Sequence, residues 1–319
     1  MISIVIPVFE EAPLLASSCA RIRTILDGAG IAFEFILVDD GSPDGSWTVI
    51  EQLGREDSRI TGLRLSRNFG KEAALCAGLE AAAGDACVSL DADLQHPPEL
   101  LPEMIRLWRE EGAEVVEAVK VDRGREPLLR RVTAGLFYGL FLRLAGVDLR
   151  GASDYKLMDR RALDAWREMR ERNTFYRGMS AWLGFRRVQL PFTVAERSGS
   201  ESKWSTPTLL RLSLRALTSF SSVPLHVISG LGLILFVASL VLGVQTLWMK
   251  LSGAATSGFT TVILLQLIIG SALMFSLGII GTYLARIHDE VKGRPRYVVA
   301  ARTPAAVLSG PSAMLSTTG

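Results

Sequence analysis

Phe33-Glu34-Phe35-Ile36-Leu37-Val38-Asp39-Asp40-Gly41-Ser42 passes from an apolar, β-branched run straight into two acids and a glycine turn. A short apolar run bounded by turn residues predicts a buried strand. Four more runs of this kind recur at 2–8, 60–65, 86–90 and 115–119, separated by helix-like stretches. Strands alternating with helices predict βαβ units, hence an α/β domain on a mainly parallel sheet with helices on both faces. Ligands of such sheets bind beyond the carboxyl ends of the strands. Those ends are acidic here: Asp39-Asp40-Gly41-Ser42 follows the second run, and Asp91-Ala92-Asp93-Leu94-Gln95 follows the fourth.

The charge pattern divides the chain. No Asp, Glu, Lys or Arg occurs over 216–249 or 251–285, whereas the first 200 residues are densely charged. Two spanning helices are expected at about 225–249 and 259–286, each long enough for a hydrocarbon core of roughly 30 Å. Arg211 and Arg215 precede them, Arg286, Lys292, Arg294 and Arg296 follow, and only Lys250 lies between. The positive-inside rule then puts both ends in the cytosol and makes the connection a short external hairpin. Segments 127–147 and 206–222 mix Leu and Phe or Leu alone with arginine, including Arg130, Arg131, Arg211 and Arg215. That is the pattern of amphipathic helices in the headgroup plane, with packing against the sheet as the alternative for the first. The expected division is a cytosolic α/β domain over 1–205, an interfacial helix over 206–222, a two-helix membrane module over 223–286 and a cytosolic tail over 287–319. Beyond Arg302 the Ala, Ser, Thr and Gly content predicts disorder. A strand-like run directly after Met1, with no basic leader, argues against a secretory signal.

A net charge of +2 offers no field that would suggest nucleic acid as partner. Neither the Gly-x-Gly-x-x-Gly fingerprint after the first strand nor a Gly-x-x-x-x-Gly-Lys loop is present, which argues against Rossmann dehydrogenases and P-loop NTPases. Cys19, Cys76 and Cys87 have no paired spacing and read as buried free thiols in a reducing compartment. With only His96, His226 and His288 besides, any metal must be held by oxygen. Asp91 and Asp93, two apart at a strand end, can reach one hard cation, and Gln95 continues the same side of the extended chain. Mg²⁺ or Mn²⁺ suits such ligands and bridges them to substrate phosphates. A merely solvated acidic loop is the bland alternative. Asp39 and Asp40 could hydrogen-bond a base and ribose, or simply build the turn. The stretch Leu65-Ser66-Arg67-Asn68-Phe69-Gly70-Lys71-Glu72 brings cations to the same rim, or caps a helix.

Five motifs in order make the reading specific: Ile4-Val5-Ile6-Pro7-Val8-Phe9-Glu10-Glu11, Val38-Asp39-Asp40-Gly41-Ser42, Arg67-Asn68-Phe69-Gly70-Lys71, Asp91-Ala92-Asp93-Leu94-Gln95-His96-Pro97-Pro98-Glu99 and Ser153-Asp154-Tyr155-Lys156-Leu157. Together they resemble the family 2 polyprenyl-phosphate glycosyltransferases, the group of dolichol-phosphate mannose synthase and bacterial undecaprenyl-phosphate glucosyltransferases. The likeness continues through Arg197 to Trp204, both apolar runs and Lys292 to Tyr297.

The resemblance implies a GT-A nucleotide-sugar fold in a multi-pass protein of the plasma (inner) membrane. Pro7, Glu11 and Asp39 match nucleoside-contacting positions, Asp91 and Asp93 the acidic metal motif, and Gln95 a further metal ligand. Arg130 or Arg131 and Lys203 fall in stretches like the acceptor-phosphate region. Asp154 matches an aspartate discussed as catalytic, with pairing to Arg160 as the structural alternative. The resemblance also suggests a homo-tetramer and, as donor, UDP-glucose ahead of other nucleotide sugars. Three positions depart from the family pattern: Glu10 replaces Asn, Lys120 replaces an Arg that meets the acceptor phosphate, and Ala134 replaces Ser. Lysine supplies a point charge without a bidentate fork. A processive polysaccharide synthase is the second enzyme reading, against which stands the lack of any Arg-Trp pair. A scaffold with a degenerate transferase domain is the non-enzyme reading, against which stand the intact Asp91 and Asp93.

Overall fold

The computed structural model describes residues 1–93, 95–120, 139, 142–143, 146, 148–149, 151–169, 171–172, 174–192, 223–252 and 258–303. Five strands follow the apolar runs: β1 (Ile2–Val8), β2 (Phe33–Asp39), β3 (Ile60–Leu65), β4 (Ala86–Ser89) and β5 (Val115–Lys120). Between them lie α1 (Ala12–Gly28), α2 (Ser46–Glu56), α3 (Lys71–Ala81) and α4 (Leu101–Glu111). Three strands lie outside those runs: β6 (Lys156–Asp159), β7 (Arg187–Phe192) and β8 (Val299–Arg302). The sheet order is β7-β5-β6-β4-β1-β2-β3-β8. β4, β1, β2 and β3 are mutually parallel, whereas β6 runs antiparallel to both β4 and β5, and β8 antiparallel to β3. The sheet is therefore mixed at both flanks of a parallel centre.

Both faces of that centre are covered, as the largely apolar character of β1 and β2 requires. Ile2, Ile4, Ile6 and Val8 share one core with Leu15, Cys19, Ile22 and Leu26 of α1. On the other face α3 packs on β1 and β2 at very short range. A Cβ at Gly78 of α3 would lie 2.3 Å from Val5 Cγ1 and 3.2 Å from Val38 Cγ2. Only glycine allows this approach, and it sets the first turn of α3 at the carboxyl edge of the sheet.

Two shorter helices, α5 (Arg160–Glu168) and α6 (Tyr176–Trp182), complete the described α/β unit. The Asp159 side chain caps α5 by accepting from Arg161 N–H at 2.8 Å. Pro295 to Thr303 belong to this unit, although the expected division sets 287–319 apart from it. Thr303 Oγ1 accepts from Gly62 N–H at 2.8 Å and helps to hold β8 at the sheet edge.

The second unit holds α7 (Val223–Leu251) and α8 (Phe259–Val291). Within them Leu225–Leu251 and Leu265–Val291, 27 residues each, are long and apolar enough to cross a membrane. At ~1.5 Å rise per residue each would span about 40 Å. Large apolar side chains such as Leu233, Phe236, Trp248, Met274 and Phe275 are exposed. α8 continues past Arg286 through Asp289 and Glu290, so the charged end expected after the second span is helical. Most of segment 127–147, all of 206–222 and the tail beyond Thr303 lie outside the described residues.

Candidate active site

β1 lies between β4 and β2, and successive strands depart from it in opposite directions, the arrangement that opens a crevice at the carboxyl edge of a parallel sheet. A cavity of about 330 Å³ lies there. Pro7 of β1, Glu11 before α1, Asp40 after β2, Lys71 at the start of α3, and Asp91 and Asp93 after β4 line it.

Each side chain arrives for a local reason. Glu11 is the N-cap residue of α1 but makes no side-chain cap bond, which leaves its carboxylate to the cavity. Burial raises its pKa, and the neighbouring charges of Asp93, Asp91 and Asp44 raise it further. Gly41, with φ +68°, lets the loop after β3 close in: a Cβ there would lie 2.5 Å from the Arg67 carbonyl carbon. Asp40 then accepts from Phe69 N–H at 2.7 Å and Gly70 N–H at 2.8 Å. Burial raises the Asp40 pKa and these two bonds oppose it. The Leu65–Glu72 stretch places Gly70 at the N-cap of α3, without a side-chain cap bond, and brings Lys71 to the cavity.

Lys71 Nζ lies 2.7 Å from Asp91 Oδ1 and 3.0 Å from Asp154 Oδ2. Burial opposes its charge, but Asp154 and Asp91 prevail and hold its pKa above the ordinary value. Asp154 does not pair with Arg160, which bonds Asp164 and the carbonyls of Ala82 and Gly84. Its partner is Arg177 of α6, whose Nε and terminal nitrogen reach Oδ1 and Oδ2 at 2.7 and 2.9 Å. Burial works against ionisation of Asp154, yet Arg177 and then Lys71 hold its carboxyl well below the usual range. Ser89 at the end of β4 donates to the Asp154 carbonyl at 2.6 Å. Glu72, beside Lys71, accepts from Tyr176 N–H at 2.8 Å and so ties the start of α3 to the start of α6.

Arg177 is absent from the sequence-derived set, as is the buried support behind it. Lys156 of β6, fully buried, donates to Glu117 Oε1 at 3.0 Å and to Ser180 Oγ at 2.5 Å. Ser180 in turn donates to the Arg177 carbonyl at 3.1 Å.

Other expected residues are placed differently. Asp39 is buried and outside the cavity lining; Oδ1 accepts from Ser42 N–H at 3.0 Å, and Oδ2 has Arg64 Nε at 3.3 Å but no hydrogen bond among the described residues. Gln95 is exposed and outside the lining, with its N–H donated to Asp93 Oδ1 at 3.0 Å. Lys120 is exposed at the end of β5. Arg130, Arg131, Ala134 and Lys203 lie outside the described residues.

Among the described residues no group of three or more His, Cys, Asp or Glu side chains is placed to hold a metal ion by itself. The donor set nevertheless fits Mg²⁺ or Mn²⁺, which take one or two carboxylates and complete their shell with water and substrate phosphate. Asp91 and Asp93 are such a pair, and a cation, the Lys71 ammonium, already stands on Asp91.

With this geometry in place, a profile of glycosyl transferase family 2 is found to match residues 3–166. The chain belongs to that family. Its sheet domain is a GT-A α/β fold. An uncharacterised glycosyltransferase of Bacillus subtilis, YkcC, is 36% identical over 93% of this chain and 92% of its own length. A prophage bactoprenol glucosyl transferase homologue of Escherichia coli K12 is 33% identical over 93% of this chain and 98% of its own. The bactoprenol glucosyl transferase of Shigella phage SfII is 33% identical over 93% and 97%. Among solved structures, the mannosyltransferase PcManGT of Pyrobaculum calidifontis, in complex with GDP-Man and Mn²⁺, is similar over 86% of each chain. At 16% identity and a TM-score of 0.45 it is too distant to bear on this glycosyltransferase's site.

Proposed function

We propose that this glycosyltransferase moves a hexose, glucose first among the candidates, from a nucleotide sugar to polyprenyl phosphate with inversion at the anomeric carbon. The observation that carries the reading is the cavity past β1, β2 and β4, where Asp91 and Asp93 face Glu11 and Lys71. Relatives named bactoprenol glucosyl transferases, alike over 93% of the chain, support the acceptor.

The acceptor phosphate is anionic already, so no side chain need remove a proton from it, and positioning and charge neutralisation dominate. Asp154 fits that chemistry as a fixed anion. Paired with Arg177 and Lys71, which hold its carboxyl well below the usual range, it keeps two cations at the rim. Asp91 and Asp93 would hold the divalent ion, with Gln95 as a further ligand. That ion, when bound, supplies charge neutralisation to the departing nucleoside diphosphate. Pro7, Glu11, Asp39 and Asp40 are assigned to the nucleoside, and Pro7, Glu11 and Asp40 line the cavity. Lys120, Arg130, Arg131 and Lys203 are assigned to the acceptor phosphate.

The two apolar helices support a multi-pass place in the plasma membrane, and the basic residues flanking them support a cytosolic sheet domain. A homo-tetramer remains part of the reading. The test is a panel of UDP-, GDP- and dTDP-sugars offered to the purified full chain with polyprenyl phosphate. One donor is expected to give a mild-acid-labile glycolipid, UDP-glucose first. Transfer to soluble acceptors with none to polyprenyl phosphate would contradict it.

A further inference from the structure

Lys71 occupies the carboxylate that a divalent ion would need. Its Nζ spans both oxygens of Asp91, at 2.7 Å from Oδ1 and 2.9 Å from Oδ2, and reaches Asp154 Oδ2 at 3.0 Å. An ammonium has three donors and no acceptor, so these three oxygens use its capacity. The two acids differ in what they keep if Lys71 leaves. Asp154 retains Arg177 on both oxygens. Among the described residues Asp91 has no other cation within ion-pair distance, and Lys71 is the only cation that lines the cavity beside Glu11, Asp40, Asp91 and Asp93.

We infer that Lys71 is a tethered competitor of the divalent ion: it holds Asp91 until the diphosphate of a nucleotide sugar draws its ammonium away, so that ion and donor bind together. The inference rests on the nucleotide-sugar reading above. In the exchange no charge is left bare, because the ion takes the place of the ammonium on Asp91 while the ammonium takes a phosphate oxygen. A lysine suits this role, being a point charge on a flexible stem, where a bidentate arginine would stay locked to the carboxylate. The Lys71 side chain is also 42% exposed and so has room to move. Linkage makes the effect reciprocal, with nucleotide raising the affinity for the ion as much as the ion raises the affinity for nucleotide.

The test measures Mn²⁺ binding directly, by the loss of the free-ion paramagnetic resonance signal, on the full chain in neutral detergent. Wild type, Lys71→Met and Arg67→Met are compared without nucleotide, and again with whichever of UDP, GDP or dTDP the wild type binds. Arg67→Met removes the same charge from the same loop without touching Asp91. Without nucleotide, Lys71→Met is expected to bind Mn²⁺ about tenfold tighter than wild type, a coupling of ordinary size. Arg67→Met should stay near wild type, and the gain that nucleotide brings to wild type should shrink in Lys71→Met. Equal or weaker binding in Lys71→Met, while wild type still shows nucleotide-dependent Mn²⁺ binding, overturns the inference and leaves the donor reading standing. Equal gains in both variants reduce the effect to net charge and also overturn it. Absence of Mn²⁺ binding to wild type under every condition overturns the inference and the metal assignment together.

Discussion

Glu10 has φ +57°, in the left-handed region where a residue other than Gly, Asn or Asp is strained by about 1–2 kcal/mol. Its N–H is held by Ser42 Oγ at 3.1 Å, and the next residue, Glu11, is the N-cap of α1, so the conformation is imposed by the turn. Asparagine tolerates this region, which gives the departure from the family pattern at this position a physical content. Glu10→Asn is expected to stabilise the sheet domain by about 1 kcal/mol, raising its melting temperature by roughly 2–4 °C. An unchanged or lower melting temperature would show that the turn relaxes at no cost. At Asp154 the prediction concerns pH. Its folded pKa lies below the unfolded value of about 3.9, so its pairing with Arg177 contributes stability above that value and loses it as pH falls through the folded pKa. The melting-temperature gap between wild type and Asp154→Asn should hold steady from about pH 8 to 5 and narrow only below about pH 4. A gap already closing near neutrality would mean that Arg177 and Lys71 do not hold the carboxylate. Asp91 and Asp93 were legible as residues because acids follow β4 directly, whereas Asp154, just before β6, was legible only through the family resemblance. Arg177 was not, since it stands 23 residues from Asp154, with no local pattern linking them.

Among the elements, α3 decides where Lys71 lies. Gly78 lets that helix rest against Val5 and Val38, and an added methyl meets Val5 Cγ1 at 2.3 Å. Gly78→Ala should therefore destabilise by about 1–3 kcal/mol, as overpacking does, despite the better helix propensity of alanine. It should also slow turnover by displacing the first turn of α3, and a stabilised variant would contradict the packing account. The parallel strands were legible because both faces are covered and the runs are short, predominantly apolar and bounded by turn residues. β6 was not. Its Lys156 reads as a surface residue, and only the fold shows that Glu117 and Ser180 satisfy the ammonium inside the sheet. β8 is four residues of unremarkable composition, Val299–Arg302, recruited by pairing with β3 more than 200 residues earlier. Local pattern carries no trace of such a partner.

For the molecule as a whole, the two apolar runs were the plainest signal in the sequence, and both form helices long and apolar enough to cross a membrane. Their orientation rests on charge alone and is open to a direct check. All three native cysteines are buried, so a cysteine introduced at exposed Ser252 is the one reactive thiol expected among the described residues. An impermeant maleimide added to intact cells should label Ser252→Cys, and labelling only after permeabilisation would reverse the topology. The proposed role of Asp91 and Asp93 is to direct a sugar from a nucleotide donor to a lipid phosphate. It is tested most directly by counting radiolabelled hexose carried into the organic phase by wild type and by Asp93→Ala, each with polyprenyl phosphate and Mn²⁺. Lipid-borne label is expected with wild type, lost on omission of polyprenyl phosphate or addition of EDTA, and at least about 100-fold less from an Asp93→Ala protein with unchanged melting temperature, as for groups that neutralise transition-state charge. Undiminished label from folded Asp93→Ala, or no lipid-borne label from wild type with any donor, would contradict it.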